Sequence, residues 1–219
     1  SSRMGVRQSR RNPALWILLV TVPVIFIWFS KLITEEQFSV MRVVDDGRVL
    51  DLQFWLPDTH AGTMAPIAVA ALAAVAGLFI ALNNGQGDPR LVQSGMRRSA
   101  LLAGRFGEVG VAVLVTAAAS LGITAMVFPA RQWPGFIVST LLLGTIYALL
   151  GMWLRFLGGR LTGVLIAFVL PFLDLGITQS PMLRLEPPGP AVLLPGYGPY
   201  RALIDTGLTD AFDEVQGLV

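Results

Sequence analysis

A site that hydrolyses nucleotide needs a glycine-rich turn and a lysine that reaches the phosphates. This chain holds a single lysine, Lys31, at the end of an apolar run and remote from any glycine-rich loop, so it does not hydrolyse ATP by itself. The absence of cysteine excludes disulfides, thiolate metal sites and thiol catalysis. The only histidine, His60, rules out a multi-histidine metal centre; set among Asp58, Thr59 and the start of an apolar run, it reads as a loop residue rather than a base. Neither H-E-x-x-H nor G-x-S-x-G occurs, and no catalytic, cofactor-binding or metal-ligating residue is assigned. Asp174, at the edge of an apolar run, reads as an interfacial acid or helix terminator rather than a proton relay.

Arginine is what remains, in fifteen copies. The largest basic island is Asn83 to Arg105, NNGQGDPRLVQSGMRRSALLAGR, lodged between two long apolar runs. Within it Asp88 suits a helix cap, Pro89 the first helical position and Gly95 a left-handed stop. The spacing predicts a short helix of about two turns, with Leu91 and Val92 facing a partner or lipid and Arg90 reaching polar groups. Arg97 and Arg98 then lead into the next apolar run as its extension. Local residues leave two readings open, a docking helix or a basic turn that anchors topology. Arginine clusters also serve nucleic acid, but beside a bilayer they read the anionic leaflet or set orientation; no nucleic-acid partner is expected.

The elements that position this island are apolar. Of 219 residues 54% are apolar and 14% charged, against about 25% charged in soluble domains, and mean hydropathy is +0.66. Runs of about 20 apolar residues match what a helix needs to cross a bilayer core, so the chain reads as an all-α, polytopic helical membrane protein forming a single transmembrane domain over 1–219. Five spans are expected, at about 13–33, 64–82, 109–127, 136–156 and 161–173. The first is longer than a signal-peptide core and lacks a cleavage site; the fifth is short, with Pro171 and Asp174 interrupting its end. Residues 34–63 form an acid-rich outer loop in which VVDDGRVLDLQFWL can make a small hairpin around its D-G turn. FPARQWPG is a tight outer turn.

Small residues recur at four-residue spacing. Ala70 and Ala74, then Ala73, Gly77 and Ala81, and likewise Thr140, Gly144 and Ala148, would let helix backbones approach closely, unless they reflect mere alanine richness. Thr116, Ser120 and Thr124 lie on one face of the third span; they line a pathway or else bond their own i−4 carbonyls. From Thr178 onward six of the fourteen prolines interleave with glycines, which excludes one long helix. Residues 178–214 read as a re-entrant or extracellular cap with one short helix in GPYRALIDTG, Pro199 at its start and Gly207 at its stop.

Charge orients the chain. The N-terminus, the 83–105 loop with its entry to the third span, and the Arg155–Arg160 turn together carry ten arginines against two acids, a balance of +8; the rest carries five arginines and Lys31 against twelve acids, −6, returning the total of +2. By the positive-inside rule the N-terminus lies in the cytoplasm of a multi-pass cell-membrane protein.

GDPRLVQSGMRR with the following ALLAGR resembles the cytoplasmic coupling segment between the second and third spans of the membrane subunit of ABC-2 type exporters. LPGYGPYRAL resembles that family's broken, re-entrant stretch before its last span. The basic start, the acidic outer loop and the order of spans extend the resemblance over nearly the whole chain. It implies a permease subunit of an ATP-driven exporter moving a lipid, drug or other amphipathic compound outward. It also implies a second permease subunit, as a homo- or heterodimer, and a separate cytoplasmic ATPase that binds ATP and Mg. Asp88, Pro89, Arg90, Leu91, Val92, Arg97 and Arg98 would make the ATPase contact, while Thr116, Ser120 and Thr124 are candidates to line the path. The family has six spans, so a sixth is expected after Val219. The alternative is a non-transporting assembly or immunity subunit that docks a cytoplasmic partner through the same basic loop; a stand-alone carrier is disfavoured by spans nearly free of charge.

Overall fold

The computed structural model describes residues 13–45, 48–84, 95, 97–157, 160–183 and 187–213. These form six α-helices, a π-turn, a 3-10 turn and one β-hairpin. Helix α1 is Pro13–Ile33, α2 Leu56–Asn84, α3 Arg98–Val127, α4 Trp133–Leu154, α5 Arg160–Pro171 and α6 Tyr197–Leu208. The protein is therefore mostly helical rather than all-α, because the acidic connection after α1 folds into strands β1, Phe38–Asp45, and β2, Arg48–Trp55. They pair antiparallel from Phe38↔Trp55 to Asp45↔Arg48; Asp46 and Gly47, the D-G pair of the expected turn, lie outside the described residues. Phe38 stacks edge-on against Trp55 at 5.0 Å.

Four stretches are long and apolar enough to cross a membrane: Leu56–Asn83, Ser99–Val127, Trp133–Leu154 and Arg160–Thr178. Helix α1 is also apolar over its 21 residues. Helix α2 starts at Leu56 rather than at the apolar run from Met64, since Pro57 and Asp58 suit a helix's first turn. His60 therefore sits on a helix, not in a loop. The fifth apolar stretch does not end at Leu173: α5 passes at Pro171 into a π-turn, Phe172–Thr178, that carries the chain on. Proline lacks an amide hydrogen and crowds the preceding turn, and the helix widens after it instead of stopping. The Thr178 hydroxyl donates to the Leu173 carbonyl five residues back, at 2.8 Å.

Helix α2 is the centre of the bundle. Of its most apolar 18-residue window 83% is buried, against 28–44% for the other three membrane-length helices, and α1, α3, α4 and α5 all pack on it. Its closest neighbour is α4. A Cβ on Gly77 would overlap the Ala148 carbonyl, and one on Gly151 would overlap the Ala74 carbonyl. The small-residue ladders of the two helices are thus each other's partners, the means of close packing where lipid gives helices no hydrophobic reason to associate.

The two ends of the bundle differ in chemistry. At the hairpin end, Lys31 pairs with Asp58 at 2.6 Å, and Thr34 Oγ1 lies 2.5 Å from His60 Nδ1, joining α1 to α2. At the other end Arg155 reaches the Ala81 carbonyl at 3.4 Å and Arg160 stacks over Phe79.

Candidate functional site

Asp88, Pro89, Arg90, Leu91 and Val92 lie outside the described residues. Of their surroundings, Gly95 has φ +91, the left-handed backbone expected of a glycine stop. Arg97 is exposed in extended backbone immediately before α3, and Arg98 is the first residue of that helix. Helix α3 is continuous from Arg98 to Val127. Its 30 residues reach about 45 Å, beyond a hydrocarbon core of about 30 Å, so the basic stem extends the helix as the sequence predicts.

Thr116, Ser120 and Thr124 are fully buried where α3 meets α2. The Thr116 hydroxyl donates to the Ala112 carbonyl at 2.9 Å and Thr124 to the Ser120 carbonyl at 2.7 Å. Ser120 alone crosses to another helix, donating to the Ala65 carbonyl of α2 at 3.2 Å. In this arrangement all three protons are spent on protein carbonyls.

The most concentrated polar chemistry lies at Asp174. It is 2% exposed inside the π-turn and does not terminate the helical path, which continues past it to Thr178. Three groups converge on its carboxylate. The Tyr147 hydroxyl of α4 donates to Oδ2, Gln179 Nε2 to Oδ1, and the Gly196 amide to Oδ2 at 3.2 Å. Gly196 is the N-cap of α6, so the carboxylate faces the partly positive end of a helix dipole. Neutral donors and that dipole hold this buried acid.

The rest of α6 is fastened equally non-locally. Its axis follows α4: Gly196 lies against Tyr147, and Thr206 lies against Gly135. Tyr147 is about 21 Å along α4 from Trp133, so α6 begins deep beside α4 and ends level with its first turn. There the last carbonyls of α6 are taken by the turn between α3 and α4: Arg131 N–H donates to Gly207 at 3.2 Å and Gln132 N–H to Thr206 at 2.8 Å. Gln132 Nε2 donates to the Thr209 carbonyl at 3.0 Å. Pro199 stands in the first turn, where its missing amide hydrogen is not needed. Gly207 is inside the last turn rather than beyond it.

Two buried polar atoms of this junction, Tyr200 Oη and Gln179 Oε1, have no hydrogen-bond partner among the described residues. The Tyr200 phenol keeps its proton at neutral pH and is available as a donor. Among the described residues no group of three His, Cys, Asp or Glu side chains is placed to hold a metal ion.

Sequence reasoning did not assemble this junction. The available signal was an acid within apolar residues that continue on both sides, which in a membrane segment is costly and tends to be functional. Its partners, Tyr147 and Gly196, are remote in the chain.

No family model, curated protein or solved structure matches this chain.

Proposed function

We propose that this chain is the membrane-spanning permease subunit of an ATP-driven exporter of amphipathic compounds such as lipids or drugs, energised by a separate cytoplasmic ATPase. The observation that carries the reading is α6: a short helix that folds back along α4, begins beside Tyr147 and is sealed at its other end by the α3–α4 turn. A short helix folded back in this way agrees with the broken, re-entrant stretch that the resemblance to ABC-2 permeases implies for LPGYGPYRAL. Non-helical backbone at membrane depth persists only when protein or a wet cavity surrounds it.

Further support comes from the arrangement of charge. Residues 85–97 join the end of α2 to the start of α3, and Arg155 and Arg160 contact that end of α2. This end is cytoplasmic in the proposed topology, while the hairpin, the α3–α4 turn and the cap are external. Energy then enters through the 88–98 segment, which continues into the long α3 at Arg98, and tilts that helix against α2. Two permease subunits and two ATPases make the working unit.

The experiment is co-expression with the candidate ATPase and reconstitution of the purified pair in proteoliposomes. Arg97→Glu with Arg98→Glu should abolish co-purification and ATP-dependent export while leaving the permease folded. ATPase stimulation by a panel of lipids and drugs then identifies the cargo class. Full export by the double variant would remove the docking assignment. A stable complex that moves none of the panel would favour the non-transporting docking subunit instead.

A further inference from the structure

We propose that Asp174 is a latch: by accepting hydrogen bonds from Tyr147, Gln179 and the Gly196 amide together, it holds the deep end of α6 shut against α4 and the π-turn, and its release lets α6 move away from the bundle. This concerns the chain alone and does not depend on the ATPase partner.

Three observations carry it. The first is convergence, since one carboxylate joins α4, the π-turn and the N-terminus of α6. The approach is built in, because a Cβ on Gly196 would lie 2.9 Å from the Tyr147 hydroxyl and 3.1 Å from Asp174 Oδ2, and would overlap Leu175. Only glycine at this position lets the amide reach the acid.

Second, the acid sits on an element with two regular geometries. A π-turn holds one more residue per turn than the α-helix it interrupts, and such turns occur frequently at functional sites. Relaxation of Phe172–Thr178 to α geometry shifts the register of the residues beyond it and turns Asp174 and Gln179 relative to α4. All three bonds to the carboxylate depend on the present geometry.

Third, the junction holds unused partners. Tyr200 lies one turn beyond Gly196 on α6, 1% exposed, with its hydroxyl unpartnered among the described residues, as is Gln179 Oε1. A buried donor and acceptor left unpaired favour any rearrangement that pairs them. Tyr200 Oη is the donor that takes over an acceptor when α6 shifts, so the moved state satisfies groups the latched state leaves unsatisfied.

The test uses thiol access, because the chain has no cysteine of its own. Leu203→Cys, on the buried face of α6, reports its opening; Ala70→Cys, buried in α2, reports loss of the core; Val192→Cys, exposed in the cap, reports reagent access. Each is placed in the full chain in proteoliposomes and treated with a membrane-impermeant maleimide, with and without Asp174→Asn or Gly196→Ala. With Asp174 intact, Leu203→Cys should react slowly. Either release variant should speed it by about tenfold or more, the scale of losing charge-assisted hydrogen bonds, while Ala70→Cys stays protected and Val192→Cys is unchanged. Rapid labelling of Leu203→Cys with Asp174 intact would overturn the latch, as would no change in the variants. Parallel exposure of Ala70→Cys would also overturn it, since Asp174 would then be a core residue whose loss loosens the whole bundle.

Discussion

Gly77 and Gly151 sit where α2 and α4 come close enough for a carbonyl of one helix to occupy the place of a side chain on the other. Because backbone rather than a flexible side chain is in the way, the neighbour cannot yield. Gly77→Leu or Gly151→Leu should therefore lower stability by about 3 kcal/mol or more, read as a drop in unfolding temperature in detergent. Gly207 is the opposite case. A Cβ there meets the rings of Phe136 and Phe128 at 3.4–3.5 Å, ordinary contact distance, beside a small apolar void lined by Gly62, Phe128, Phe136 and Leu203. Gly207→Ala should raise stability by about 0.5–1 kcal/mol in the same measurement, by reducing unfolded-chain freedom and improving helix propensity. Tyr147→Phe removes one donor from a buried carboxylate and should destabilise by about 1–3 kcal/mol. These residues differ in how they could be found. The ladders holding Gly77 and Ala148 were readable from four-residue spacing, with alanine richness as the competing reading, whereas Gly151 lies off the Thr140, Gly144 and Ala148 ladder and was not singled out. The Asp174 cluster was not, because a side chain's local neighbours say nothing about a tyrosine on another helix.

Elements were legible in proportion to how locally they are determined. The hairpin was legible from the alternating residues on either side of the D-G pair, and the structure pairs those flanks antiparallel. The extension of α3 follows from the helix formers Ala100, Leu101, Leu102 and Ala103 after the basic pair, and the helix runs on through Gly104, Gly107 and Gly110. The fifth apolar stretch was misjudged at its end, where a proline and an acid imitate a stop; tertiary partners for Asp174 let the helix widen and continue instead. The hydroxyl stripe of α3 yields a prediction on this scale. Thr116→Val and Thr124→Val remove hydroxyls that only share carbonyls within their own helix, so each should change stability by less than about 0.5 kcal/mol. Ser120→Ala breaks the one bond that crosses to α2 and should cost about 1 kcal/mol. An altered cargo profile in the threonine variants, with stability unchanged, would be the mark of a pathway.

For the whole molecule, the distribution of arginine makes a topological prediction independent of any cargo. In the cysteine-free chain, Phe38→Cys in the hairpin and Val192→Cys in the cap should react with impermeant maleimide from outside intact cells. Arg97→Cys and Leu157→Cys should react only after the membrane is opened. Labelling of Arg97→Cys from outside would invert the proposed topology and remove the ATPase from reach of its docking segment. Burial points the same way as composition: the membrane-length helices around α2 keep much of their apolar surface outward, as a bundle solvated by lipid must.

The fastening of α6 has a consequence for the order of synthesis. A helix of 12 residues is near or below the length at which isolated helices hold together in water. Both its ends are secured by segments made earlier, Asp174 at one and the 131–132 turn at the other. It can therefore form only after α4 and the π-turn are in place. Until it arrives, the nascent chain carries a buried acid lacking one of its three donors. Chains terminated just before Gly196 should accordingly turn over faster in cells than chains that run on through α6, in a pulse-chase comparison. An equivalent truncation carrying Asp174→Leu should recover part of that lifetime.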